Sequence, residues 1–353
     1  MDGFFWGKPY GMGRFSSELC RALGSVPDPA VDLVVAIPSN IDPATLPRYP
    51  SLTWHSVRAA ELPIWEQLLI PLTACRLACD VIHSPYNTRP FRTGGRPAIV
   101  TIHDLMFLDE TPPWRRFKDA IHTRYTRQIF RHTAVRSTVI AVSETTRRAL
   151  AGQGVEARTV YNTADAFLAD YATVAPLQAP RPYIFHRGAY AAHRNTERVI
   201  EAFRAMRASL PGIELKVLGA VQGAALWHTE AERDIQFLSR VSDAELAALY
   251  RGSLFVVATS LQEGFCMPIL EGFGFGTPVI TSTRDPMREV ASDAALLVDP
   301  TEVNAIADAM RTVAANAELR ATLVARGATR VRDFASSHVA AKLITIYTEA
   351  AQL

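Results

Sequence analysis

EGFCMPILE (263–271) decides how this chain is read. It follows at once on an apolar run, LFVVATS (254–260), with the look of a parallel strand buried on both faces. Pro268 sits where a helix would begin, a position that loses nothing by lacking an N–H. The pattern therefore predicts Glu263 in a strand-to-helix loop and Glu271 one turn into the helix. Between them, Gly264, Phe265, Cys266 and Met267 are expected to turn backbone N–H groups toward an anion at the helix's positive end. Two carboxylates straddling an anion cradle suit a ligand with hydroxyls at both ends and a diphosphate in the middle. A nucleotide-sugar has that form.

Working outward, short apolar runs alternate with helical patterns, which argues for parallel sheets with crossover helices. The first half offers VDLVVAIP (31–38), VIHSP (81–85), AIVTIHD (98–104), STVIAVS (137–143) and RTVYN (158–162) as strands. After a polar, proline-bearing stretch from about Asp165 to Pro182, the pattern restarts. YIFHRG (183–188), ELKVLG (214–219), IQFLSRV (235–241), LFVVATS, PVITST (278–283) and ALLVDP (295–300) follow. A restart behind a linker marks a domain boundary. The expectation is an α/β protein of two Rossmann-like domains facing each other across a cleft, with ligands at the carboxyl ends of the strands.

Composition agrees with that size and class. The 353 residues suit two α/β domains, and 48% hydrophobic with 20% charged residues argues against disorder and against a membrane-spanning chain. A formal net charge of +2 gives no general push toward nucleic acid. The four cysteines (Cys20, Cys75, Cys79, Cys266) show no metal-ligand or redox spacing, and Cys75 and Cys79 read as packing on a helix. A reducing cytoplasm is expected. At the other end, Asp2-Gly3 leads straight into a loop-like FFWGKPYGMGRF, so only the end of a first strand is visible. Either the start is assigned too late or the domain uses an edge made elsewhere.

EGFCMPILEGFGFGTPVITS resembles the Glu-x7-Glu signature of the retaining glycosyltransferases of family 4, which have the GT-B fold. WEQLLIP (65–71), DVIHSPYN (80–87), TIHD (101–104) and VSETTRRAL (142–150) resemble the family's first domain. HRNTERVIEAF (193–203) and SDAELAALYRGSLFVVATSLQEGF (242–265) resemble its second. The resemblance implies domains at 1–168 (acceptor side) and 169–335 (nucleotide-sugar side), and a last helix, 336–353, crossing back onto the first domain. It also implies a retaining hexosyltransferase of bacterial polysaccharide or lipopolysaccharide synthesis, with GDP-mannose the first donor and dTDP-rhamnose or a UDP-sugar the alternatives. The acceptor would be a saccharide or lipid-linked saccharide, and the setting the cytoplasm or the cytoplasmic face of the inner membrane. A nucleotide-sugar epimerase on the same architecture stays open; a Rossmann oxidoreductase lacks its full glycine fingerprint.

Residue by residue, Glu271 is placed to accept from ribose hydroxyls, as a carboxylate chelating a cis-diol does. Glu263 would lie by the transferred sugar and stabilise an oxocarbenium-like transition state. Arg194, in HRN, is the candidate diphosphate clamp, with a bidentate fork where the family usually has Lys. Arg187 is a second candidate, or points away, because it precedes Gly188 where relatives often place an Arg after the glycine. His103, ending TIHD, would position sugar hydroxyls; His83 has the same logic with a core role equally open. Gly11 and Gly13, in the loop before Arg14, resemble the family's glycine-rich turn beside the donor phosphates. No Asp-x-Asp occurs, so the diphosphate charge is expected to fall to arginines and a helix end, with no metal and no cofactor.

One stretch stands outside this scheme. Trp114, Phe117, Ile121, Tyr125 and Ile129 recur at helical spacing, with Arg116, Arg124, Arg127 and Arg131 on another face and only Asp119 opposing. An anionic membrane surface and a solvated crossover helix explain it equally well.

Overall fold

The structure is a computed structural model that describes residues 1–7, 11–26, 31–108, 117–188, 192–219 and 234–353, with backbone alone for 117–120. Contacts divide the chain into one unit of residues 1–166 and 335–353 and a second of residues 167–334.

In the first unit, β1 (Leu33–Pro38) pairs in parallel with β2 (Leu52–Val57). The parallel strands β3 (Ile82–Ser84), β4 (Ala98–Ile102), β5 (Thr138–Ala141) and β6 (Arg158–Thr159) form a second sheet in that order. Residues 1–3 lie between the two sheets and bond to both. Asp2 N donates to His83 O at 2.9 Å, Gly3 N to Ala36 O at 2.8 Å, and Ala36 N to Met1 O at 3.0 Å. Three residues thus stand where a first strand would run, giving the order β2, β1, residues 1–3, β3, β4, β5, β6. Asp2 is fixed there by its side chain, which accepts from Trp65 Nε1 at 2.8 Å and from Tyr86 OH.

Helices α1 (Gly11–Ser25), α2 (62–76), α3 (Phe117–Thr133) and α4 (Glu144–Ala151) belong to this unit. A π-turn, Trp65–Leu69, interrupts α2. The last helix of the chain, Ser336–Ala350, also packs here: its Val339, Leu343 and Ile346 meet Leu19 and Leu23 of α1. Each such side chain, fully buried, contributes about 1.5–3 kcal/mol. His83 is part of this packing. Nδ1 bonds Tyr347 OH on the last helix at 2.8 Å and Nε2 bonds Thr101 Oγ1 at 2.9 Å, and burial pushes its pKa down to about 3. A neutral, doubly bonded core histidine is a tie between elements, so His83 is not a site residue.

The second unit is one six-stranded parallel sheet. Strands β7 (Tyr183–His186), β8 (Glu214–Leu218), β9 (Ile235–Leu238), β10 (Phe255–Ala258), β11 (Val279–Ser282) and β12 (Leu296–Val298) lie in the spatial order β9, β8, β7, β10, β11, β12. The order reverses between β7 and β10, the switch point at which doubly wound sheets bind ligands. Its longer helices among the described residues are α5 (Thr196–Arg207), α6 (Asp243–Gly252), α7 (Met267–Gly274), α8 (Val303–Ala315) and α9 (Ala317–Arg330). The last helix of the chain is numbered α10. The core centres on Ile184, Phe203, Leu215, Phe255, Val257 and Ile280, which have no exposed surface.

Candidate functional site

Both neighbours at the second unit's switch point carry predicted residues on the loops behind them. Behind β7 come Arg187, Gly188 and Arg194; behind β10 come Ser260, Glu263 and the start of α7. The loops are bonded together: Leu261 N donates to His193 O at 2.7 Å, and Asn195 Nδ2 donates to Thr259 O at 3.0 Å and to Pro300 O at 2.6 Å. Asn195 is buried and left-handed (φ 61°), a conformation asparagine tolerates better than most side chains. Gly188 has its own reason: a Cβ there would come within 2.6 Å of Thr196 Oγ1 and 3.2 Å of the His186 ring.

This scaffold gives each carboxylate its own arginine. Arg194 Nη1 lies 2.6 Å from Glu263 Oε1, which also accepts from Ser260 Oγ at 2.9 Å. Arg187 Nη1 lies 2.5 Å from Glu271 Oε2, and Tyr250 OH donates to the same oxygen at 2.6 Å. Arg187 therefore turns toward the two-carboxylate run. Burial opposes its charge, but Glu271 and Tyr250 outweigh it and hold the pKa above the usual arginine value. Glu271 is fully buried, while Arg187 keeps a quarter of its side chain exposed. Tyr250, also buried, comes from α6, whose start is fixed by a capping box between Ser242 and Glu245.

Pro268 occupies the first turn of α7, where Ile269 N closes the first bond onto Cys266 O at 3.1 Å. Glu263 stands in the loop and Glu271 inside the helix. Gly264, Phe265 and Cys266 are buried and Met267 is half-buried, at the positive end of the helix. Cys266 is left-handed (φ 80°), and burial pushes its thiol pKa up, so it is an inert packing group.

In the first unit, His103 sits just past β4. Its backbone N donates to Asn87 Oδ1 at 2.7 Å, and Nε2 lies 3.0 Å from Pro85 O. A carbonyl only accepts, so Nε2 carries the proton and Nδ1 is the ring's acceptor. Burial lowers the pKa and keeps the ring neutral. Phe15 packs edge-on against it, 4.6 Å between centroids. Gly11 and Gly13 correct an expectation: they lie within the first turn of α1 and not in a loop before Arg14. Gly11 has open space where a Cβ would be, so no close approach demands it. Cys75 is exposed and Cys79 lies beyond the end of α2, so neither packs inside a helix core.

Of the helical stretch singled out above, Trp114 and Arg116 lie outside the described residues. On α3 the inward face is Thr123, Thr126, Ile129, Phe130 and Thr133, whereas Ile121 is 55% exposed. The apolar face read from 114, 117, 121, 125 and 129 is therefore offset from the buried one. Arg124 and Arg131 are exposed, and Arg127 donates to Phe107 O at 3.1 Å. No helix among the described residues is long and apolar enough to cross a membrane.

Residues 9–166 match Glycosyltransferase Family 4, and residues 173–330 match Glycosyl transferases group 1. The chain belongs to glycosyltransferase family 4. Its relatives include O-antigen chain mannosyltransferase B of Escherichia coli, 33% identical over 113 residues, 32% of this chain and 30% of that one. The phosphatidyl-myo-inositol mannosyltransferase of Mycobacterium leprae is 35% identical over 116 residues, 32% of this chain and 31% of that one. The matched stretches thus span about a third of those relatives. Among solved structures, sucrose-phosphate synthase from Thermosynechococcus elongatus superposes with a TM-score of 0.70 at 17% identity, covering 96% of this chain and 93% of that one. WaaG, a glycosyltransferase involved in lipopolysaccharide biosynthesis, gives 0.68 at 12% identity, covering 96% of both chains. The fold of this family 4 member is GT-B, built of two Rossmann-like units.

Proposed function

We propose that this glycosyltransferase moves a mannosyl group from GDP-mannose, with retention, to a saccharide or lipid-linked saccharide of a bacterial surface polysaccharide. It does so with no cofactor and no divalent ion, in the cytoplasm or at the inner face of the membrane. The observation that carries the reading is the pairing of Arg194 with Glu263 and Arg187 with Glu271 at one switch point. The mannosyltransferase names of the relatives support the choice of sugar.

An arriving diphosphate competes for the guanidinium of Arg194, at the positive end of α7. Glu263, released from the pair, accepts hydroxyls of the transferred sugar and faces the positive charge that grows on its anomeric carbon. Glu271 meets the ribose once Arg187 moves off it toward phosphate. Neutral His103 orients a sugar hydroxyl through Nδ1. The acceptor oxygen bonds to the anomeric carbon on the face the phosphate leaves, and its proton passes to the departing phosphate oxygen. Arg194 and the α7 terminus offset the charge that remains on the leaving diphosphate.

The test is thermal stabilisation by a panel of GDP-mannose, dTDP-rhamnose and UDP-glucose, followed by Glu263→Ala. GDP-mannose should stabilise most, and the variant should lose turnover while keeping GDP affinity. Stabilisation by a different donor reassigns the sugar. Stabilisation by none, or collapse of GDP affinity in the variant, defeats the reading.

A further inference from the structure

The loop between Glu263 and α7 is braced from behind. Phe265, in the middle of that loop, buries its ring edge-to-face against Phe334, with 5.6 Å between centroids and 84° between the planes. Phe334 is buried as well, and ends the short 3₁₀ turn Val331–Phe334 that follows α9.

Phe334 is itself clamped. The guanidinium of Arg330, the last residue of α9, lies over its ring at 4.8 Å from the centroid. That guanidinium is anchored in turn. Nε donates to Val290 O at 3.0 Å, Nη2 donates to Glu289 O at 2.7 Å, and Nη1 bonds Asp333 Oδ2 at 2.8 Å. Val290 and Glu289 belong to the helix Met287–Ala291, which follows β11. One turn before Arg330, α9 runs close against α7: a Cβ on Gly327 would come within 2.8 Å of Phe273 Cδ1. These segments form one abutment, and the ring of Phe334 is where it meets the loop.

A backbone anion cradle works by direction, because N–H groups at a helix start favour an anion when they converge on it. Cys266, next in the chain after Phe265, holds φ 80°, backbone that a side chain of this size adopts rarely. Such a conformation persists when its surroundings over-determine it. The edge-to-face contact beside it supplies that constraint.

We infer that Phe334 is a positioning residue of the transfer site: it holds Phe265, and through it Cys266, so that the N–H groups at the start of α7 stay aimed at the donor's diphosphate. This role rests on the diphosphate site proposed for the loop. Core packing alone would make Phe334 matter to melting and not to anion affinity, and the two are separable.

The experiment is calorimetric titration of the full chain with inorganic pyrophosphate, a probe that needs neither base nor sugar, well below the melting transition. Phe334→Leu keeps most of the apolar volume and removes the ring, and pyrophosphate affinity should fall by about three- to tenfold. Phe265→Leu should lose a similar factor, and the double variant no more than either single change, since both remove one contact. Met310→Ala, in the core on α8, is the control: it should lower the melting temperature and leave pyrophosphate affinity as it was. A second readout needs no substitution: pyrophosphate should slow amide exchange in residues 331–334 as well as in 264–267. Unchanged affinity in Phe334→Leu, losses that multiply in the double variant, an equal loss in Met310→Ala, or exchange slowed in 264–267 alone overturns the role. So does a wild type that binds no pyrophosphate. The expected losses on pyrophosphate in a chain that does not bind GDP would support the brace and defeat the donor assignment.

Discussion

Glu271→Gln keeps the side chain's shape and removes its charge, so it isolates the ion pair at the switch point. In the wild type, Glu271 Oε2 accepts from Arg187 at 2.5 Å and from Tyr250 at 2.6 Å, and the carboxylate has no exposed surface. Removing one member of a fully buried pair costs about 3–5 kcal/mol. Arg187 keeps a quarter of its surface in water, and an amide oxygen still accepts a hydrogen bond, so a loss of about 2 kcal/mol is expected. For a unit of this size about 1 kcal/mol shifts the melting temperature by roughly 2–4 °C. The melting transition should thus fall by about 4–8 °C. The assay is calorimetry on Glu271→Gln, Arg187→Met and the double variant, completing a cycle. Residues in direct contact should give a coupling of about 1–3 kcal/mol. Titration with GDP well below the transition should then show affinity reduced about ten- to a hundredfold in Glu271→Gln, the charged acceptor being worth about 1.5–3 kcal/mol. A coupling near zero would refute the buried pair. A normal coupling with unchanged GDP affinity would leave Glu271 as a structural support for Arg187 and remove it from the ribose site.

Three further outcomes are expected. Ser292, exposed and held at φ 51°, occupies backbone that glycine adopts freely, so Ser292→Gly should gain about 1 kcal/mol in a melting experiment and leave GDP affinity alone; destabilisation would contradict that backbone. Burial raises the pKa of Glu66 to about 7 from 4.5, so the folded chain binds the extra proton between those values, and this group's contribution to stability falls as pH rises through them. Wild type should lose about 1 kcal/mol relative to Glu66→Gln between pH 6 and pH 8, and parallel stability curves for the two would refute the shift. Activity should survive excess chelator; complete loss restored by magnesium or manganese would overturn the assignment of the diphosphate charge to Arg194.

The sheets were legible where strands are buried on both faces. LFVVATS, PVITST and AIVTIHD are continuous apolar runs, and each contains a strand. β2 leaves no apolar run to read, because LTWHSV is an edge strand whose middle residues are exposed or half-exposed. Residues 1–3 hold the first-strand position through three backbone bonds, too short a segment for any period to show. The run 263–271 was legible because Pro268 and a preceding apolar strand fix where the loop ends. Its partners were harder. The pairing of Arg187 with Glu271 and the part played by Tyr250 come from segments 84 and 21 residues away in sequence, which only the strand order brings together. Asn195 carried a signal in HRN, since a buried asparagine ahead of a helix can lock a loop in the left-handed conformation. Ile64, Leu68 and Leu72 of α2 are exposed, which the sequence hides because apolar residues at helical spacing ordinarily mean a core face.

The most direct test of the central claim is NMR of the product formed from GDP-mannose and a saccharide or lipid-linked acceptor, read by the one-bond carbon–proton coupling at the new anomeric centre. Transfer should depend on acceptor and keep the α configuration of the donor. A β-linked product, or product that forms without acceptor, would contradict it.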